Sequence, residues 1–381
     1  MTVPANEQDV AVTNQGQKQT PSQPNFFIPL DTSWFDREPE RYLEREDFRE
    51  FQEVSAVDFR RLMSMDRETV NQAQEEMAIK CVLFNEVRNI HFGFSFPFII
   101  YTHDFNFSVC IPNHNPELDI IVMALDMCDS LRRRHLCLSH AIIPQVVNDL
   151  YQSLGRPVTI KNLGAGAGLG TLNAVQYSDG SIAQILNYDT NAQAIALGQE
   201  MTKHLEVQGI IHPGIVQYIP RNLTKSTEPA DVIIKVGVIC GPQDFAAEFL
   251  LAQDFAQLSE GGKLIVSSSN INMNCHDPLS SFLIQHIGTK DDPFAGWSLN
   301  CRTEEGLRGL LTRAGFKNIA IYSDTDYPGK DKLPDEKLYG VDTLPSEVMG
   351  YGHPGGPLRL PPKEVLDKGT PYNWIAVATK V

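Results

Sequence analysis

The chain is poor in several features that mark out large classes of protein. Its 381 residues include only seven cysteines, an odd number, with no Cys-x-x-Cys pair and none set beside a histidine at ligand spacing. That excludes a disulfide scaffold and a structural zinc site, and it predicts a reduced environment. Positive charge is scarce: 32 Lys and Arg stand against 47 Asp and Glu, a net charge of −15. Such a surface repels phosphate backbones and anionic headgroups, so neither nucleic acid nor a membrane is expected as a partner. The one basic cluster, Arg132-Arg133-Arg134, is expected to complement the dipole near a helix end. No apolar run approaches the ~20 residues needed to cross a bilayer. The opening MTVPANEQDVAVTNQ carries neither the basic nor the apolar region of a secretory signal. A soluble, cytoplasmic protein is expected. The pattern GxxxxGK[ST] is missing as well, which leaves a nucleoside triphosphate site without support.

What is present is enough apolar material, 42%, for a sizeable core, and enough length for two to three domains. Residues 1–25, rich in Gln, Asn, Thr and Pro, have little to bury and read as a disordered tail. Residues 26–138 read as a mainly helical and aromatic region serving as a cap or as a homodimer surface. Phe48, Phe51, Val54, Val57, Phe59 and Leu62 recur at helical intervals, and an aromatic stretch runs from Phe92 to Phe107. Helices are predicted over Glu117–Cys137 and Ser139–Leu154, the second stopped by Gly155 and Pro157.

Residues 139–381 follow another grammar. Strand-like runs at Val158–Leu163, Ala183–Tyr188, Ile215–Ile219, Val232–Cys240, Lys263–Ser268, Ile319–Tyr322 and Trp374–Thr379 alternate with helical stretches. These strands, lacking polar faces, predict an α/β fold: a doubly wound, mostly parallel, seven-stranded sheet covered on both sides. A Pro- and Gly-rich insertion at 324–371 separates the last two strands, and a connection that long usually serves as a lid or an interface.

The sharpest feature lies between the first of these strands and its helix: Asn162-Leu-Gly164-Ala165-Gly166-Ala-Gly168. Small residues allow a tight turn and a close approach of backbone to a ligand at a strand end. The same glycines could instead serve close helix–strand packing. Asp189 ends the next strand, 25 residues after Gly164, where a carboxylate can accept both ribose hydroxyls. By itself it could also cap the following helix, with Asn191 as competitor. Loop and acid together point to an adenosine-bearing ligand. The dinucleotide fingerprint GxGxxG fails in both registers, since Leu169 and Thr171 occupy the required glycine positions.

The pattern resembles the class I S-adenosylmethionine-dependent methyltransferases over about residues 140–325 and 372–381, and in its C-terminal half a poorly characterised branch of them. The resemblance implies that the last strand is antiparallel and that S-adenosyl-L-methionine is the cofactor. It implies that Asn162, Gly164, Ala165, Gly166 and Gly168 wrap the methionine part and that Asp189 takes the ribose. It further implies that Asn222 meets the adenine amine and that Gly237 ends the strand facing the methyl group. Asn162 and Asn222 depart from the family's usual acids, keeping hydrogen-bonding capacity and losing charge. The Asn-Pro-Pro-aromatic signature of base and amide methylation is missing, so a small-molecule acceptor is expected. His276, in the loop after the fifth strand, is the candidate general base, with an exposed turn as the plain alternative. His140 is either near the cofactor's methionine end or a helix-terminal residue, and Cys240 is a small apolar filler. Two other functions remain open at this point: a nicotinamide-dependent oxidoreductase, and a catalytically idle cofactor-binding scaffold.

Overall fold

In Val158–Leu163 (β1) alternate residues turn to opposite faces, and each face meets its own layer of helices. The computed structural model describes residues 75, 79–80, 126–175, 178, 180–271, 300–330 and 369–381. The tail 1–25, the stretch Phe92–Phe107, the loop bearing His276 and most of the 324–371 insertion lie outside those residues. Ile182–Asp189 (β2), Val216–Pro220 (β3), Ala230–Lys235 (β4), Leu258–Ser269 (β5), Lys317–Ser323 (β6) and Asn373–Thr379 (β7) complete a seven-stranded sheet of order β3-β2-β1-β4-β5-β7-β6. The first five strands run parallel, and β7 is antiparallel to both of its neighbours. This is the doubly wound sheet with a reversed last strand that the sequence leads one to expect.

Asp126–Leu136 (α1) passes through a π-helical stretch, Cys137–Ile142, into Ile143–Leu154 (α2). The intervening residues keep right-handed helical angles, so no break separates the two predicted helices. The boundary expected between residues 138 and 139 falls inside this rod. Gly155, with φ 64°, ends it. Together with Leu169–Val175 (α3) and Ala192–Val207 (α4), α2 covers one face: Val147, Leu150, Leu172, Met201 and Leu205 pack on Val158, Ile160, Ile185 and Val232. Asp244–Gln257 (α5) and Glu304–Arg313 (α6) cover the other, where Leu251, Leu307 and Leu310 pack on Leu163, Ile233, Leu264 and Val266. Each such side chain is worth roughly 1.5–3 kcal/mol of burial.

The strands are less purely apolar than their composition suggests. Lys161 on β1 and Lys235 on β4 are fully buried. Lys161 donates to the Glu228 carbonyl at 2.6 Å and to Gln257, while Lys235 pairs with Asp254 at 2.6 Å. The fourth strand is also shorter than expected. It stops at Lys235, because Gly237 turns the chain with φ 71°.

Candidate functional site

β1 and β2 end side by side, with Leu163 opposite Tyr188, and the glycine loop folds back across that seam. The Tyr188 carbonyl accepts the N–H groups of Gly164 and Ala165 at 2.9 and 3.0 Å, and the Ala165 carbonyl accepts that of Gly168 at 2.9 Å. Asp189 completes the clasp: its Oδ2 accepts the Gly166 N–H at 2.7 Å and its Oδ1 the Asn191 N–H at 2.9 Å. Asn191, not Asp189, caps α4, accepting from the N–H groups of Gln193 and Ala194 at 3.0 Å each. A carboxylate offers about four acceptor sites, so two bonds leave Asp189 able to accept more. The backbone of Gly164–Gly166 stays half-buried while the residues on either side are covered.

Two side chains that sequence reasoning passes over shape this loop. A Cβ on Gly164 would come within 2.7 Å of Val238 Cγ2, so only glycine lets the segment after β4 lie against the loop. Tyr218 on β3 donates its hydroxyl to the Ala167 carbonyl at 2.9 Å. Its ring rests on Gly198 of α4, where any Cβ would come within 2.3 Å. A tyrosine two residues before the end of a strand carries no sequence signal for that role.

Asn162 is buried on β1 and donates to Asn187 Oδ1 on β2 at 3.0 Å, tying the strands together beneath the loop. Asn222 is exposed at the end of β3. Its Oδ1 accepts the Thr224 N–H at 3.0 Å and the Thr224 hydroxyl at 2.9 Å. Both lone pairs of that oxygen are committed, so Asn222 keeps only its amide N–H donors for a purine. Gly237 is exposed at the end of β4, its N–H donated to Ser267 Oγ at 2.9 Å. Cys240 is buried, with its thiol donating to the Gly237 carbonyl at 3.1 Å and pushed up by burial. His276 lies outside the described residues.

The basic cluster stands differently from expectation. Arg132, Arg133 and Arg134 are only 3%, 2% and 6% exposed, and since the helix runs on past them there is no dipole end to complement. Arg132 pairs with Asp129 at 2.7 Å and Arg133 with Asp324 at 3.2 Å. Arg134 donates to Asn373 Oδ1 at 3.0 Å. Ser130 adds a 2.5 Å bond to Asp324, so α1 is laced to the ends of β6 and β7. Its last turn also reaches α3, where Asn173 Nδ2 donates to His135 Nε2 at 3.1 Å. Burial pushes His135 down to about 3 and His140 down to about 4, leaving both neutral. Ser139 spends its proton on the His135 carbonyl, so the 2.7 Å contact at His140 Nδ1 is donated by the imidazole. Helix α1 thus crosses the same edge of the sheet at which the glycine loop and Gly237 open.

A separate cavity of about 470 Å³ lies at the β6 edge, lined by Glu304, Tyr322, Tyr327 and Trp374 among others, and includes no residue of the glycine loop. Among the described residues no cluster of side chains could hold a metal ion and no helix is long and apolar enough to cross a membrane.

No protein-family model matches the chain, and no curated protein matches its sequence. Solved structures do show likeness. A possible exported protein from Bordetella parapertussis is 15% identical, with 74% of this chain and 77% of that one covered and a TM-score of 0.47. Magnesium protoporphyrin IX methyltransferase from Synechocystis, with bound S-adenosylhomocysteine, is 12% identical over 66% of this chain and 86% of that one, at a TM-score of 0.39. Human N-acetylserotonin methyltransferase, in complex with S-adenosylmethionine, is 17% identical over 54% of this chain and 55% of that one, at a TM-score of 0.35.

Proposed function

We propose that the protein is a methyltransferase that binds S-adenosyl-L-methionine against the glycine loop and Asp189 and methylates a small molecule. The observation that carries this reading is the clasp itself. The N–H groups of Gly164, Ala165, Gly166 and Gly168 are all spent within the protein. A pyrophosphate needs such donors turned toward it, so the loop suits a nucleoside without phosphates better than a dinucleotide. That argues against the nicotinamide reading, which already lacks its glycine spacing.

When bound, S-adenosylmethionine supplies a sulfonium-activated methyl group. The chain's own part is to bind and align. Half-buried backbone at Gly164–Gly166 allows close approach, and Asp189 retains lone pairs for ribose hydroxyls. Asn222 keeps amide donors for an acceptor nitrogen of the purine, and exposed Gly237 leaves the end of β4 open. The acceptor's proton, where it has one, passes to solvent or to a base such as His276. An idle cofactor-binding scaffold remains the second reading, favoured by the commitment of the Asn222 oxygen to its own turn.

Calorimetric titration with S-adenosylhomocysteine and with NAD tests the proposal. Binding of the first and not of the second is expected, and the reverse overturns it. Binding of the first without turnover across a broad acceptor panel would favour the scaffold.

A further inference from the structure

Resting on that reading, we propose that Arg302 is a positioning residue for the cofactor: it fixes the loop after β4 and, through Val238, the glycine loop. Residues 236–243 belong to no helix or strand, so their carbonyls need partners from elsewhere. Two residues supply them. Arg302 Nη1 donates to the Ile239 carbonyl at 2.7 Å and Nη2 to the Pro242 carbonyl at 3.0 Å. Between these, the Asn300 backbone N–H donates to the Cys240 carbonyl and Asn300 Nδ2 to the Gly241 carbonyl, each at 2.7 Å. Four successive carbonyls are thus held from one short limb of chain. Buried Arg302 also reaches Ser268 Oγ at 3.3 Å, and its Nε pairs with Asp244, the first residue of α5, at 2.9 Å. The limb is itself anchored. Its Arg302 N–H donates to the Ser269 carbonyl at 2.8 Å, and the Arg302 carbonyl accepts Trp374 Nε1 of β7 at 3.0 Å.

Val238 carries the consequence to the site. It directly precedes Ile239, and its Cγ2 lies so near Gly164 that a Cβ there would come within 2.7 Å. Gly164 and Ala165 in turn donate their N–H groups to the Tyr188 carbonyl, beside Asp189. Any shift of the clamped loop therefore moves the side chain on which the glycine loop rests. The chemistry requires arginine in particular. Its planar fork presents five N–H donors in fixed directions, whereas lysine offers one nitrogen on a flexible stem and cannot span carbonyls three residues apart.

Two readouts test this: amide hydrogen exchange over residues 160–168 in ligand-free protein, and calorimetric affinity for S-adenosylhomocysteine. Arg302→Gln should speed exchange at Gly164 and Ala165 about tenfold while α2, on the far layer, stays within about twofold of wild type. Affinity should fall about tenfold in Arg302→Gln and about threefold in Arg302→Lys, which recovers part of the clamp. Asn300→Ala, which frees only the Gly241 carbonyl, should also cost about threefold and keeps the test open should Arg302→Gln fail to fold. Val238→Ala should lose about tenfold by itself, and adding Arg302→Lys to it should cost less than about twofold more, because the two act along one path. Unchanged affinity and exchange in the Arg302 and Asn300 variants overturns the proposal. So does exchange that rises equally in α2, or losses that simply multiply in the Val238 background. Failure of wild-type protein to bind S-adenosylhomocysteine would instead strike the methyltransferase reading, leaving exchange to judge the clamp.

Discussion

Asp189 and Gly166 are joined by a 2.7 Å hydrogen bond from the glycine N–H to Oδ2, so the acid that would take the ribose also fixes the shape of the loop beside it. Asp189→Ala removes both functions at once. A hydrogen bond to a charged group contributes about 1.5–3 kcal/mol, so S-adenosylhomocysteine affinity should fall by about 10- to 100-fold. Asp189→Asn should fall less, because its amide oxygen can still accept the Gly166 N–H. Calorimetry measures both, and unchanged affinity in the alanine variant would remove the site.

Gly198→Ala should loosen the loop from a distance. The added carbon would meet the Tyr218 ring and displace the hydroxyl that holds the Ala167 carbonyl. Overpacking of this kind costs about 1–3 kcal/mol. Tyr218→Phe, which removes only the hydroxyl, should cost about 1 kcal/mol. Urea midpoints give the stabilities, and both variants should also bind S-adenosylhomocysteine more weakly than wild type.

Stability should fall on mild acidification. His135 and His140 titrate near 3 and 4 in the folded protein and near 6.5 when unfolded. Between those values the unfolded chain holds more protons, so stability is complete above about pH 6.5 and drains away as the pH drops toward 4. The urea midpoint should be lower at pH 5 than at pH 7, and His140→Gln should narrow that gap. An unchanged gap in the variant would place the dependence elsewhere.

Asp324→Ala leaves Arg133 buried without its carboxylate, and breaking a buried pair from one side costs about 3–5 kcal/mol. Replacing both partners, Arg133→Met with Asp324→Leu, should recover much of that loss. Thermal unfolding of the single and double variants checks the difference.

The alternation of strands and helices after Arg156 was legible because each buried strand is a short apolar run closed by polar or turn residues. The glycine loop and Asp189 were legible because a strand end carries both. Arg133 was not, since its partner Asp324 lies 191 positions along the chain and a local window sees only a run of like charge. The single rod through Cys137–Ile142 was missed for the same reason: a widened turn has no composition of its own. Asn222 was found by position, yet the use of its oxygen depends on Thr224 two residues later. Lys161 and Lys235 escaped notice because a lone lysine in an apolar strand reads as a solvent-facing tip, whereas these reach acceptors across the layer.

The widened turn at Cys137–Ile142 acts as a gear between two lengths of one shaft. Losing a single residue there would restore ordinary winding and swing everything upstream by about 100° about the axis. Leu150 would keep its seat in the core while Arg134 and His135 swept clear of the strand ends. A one-codon deletion would thereby leave Asp324 and Asn373 buried without the arginines that α1 brings to them.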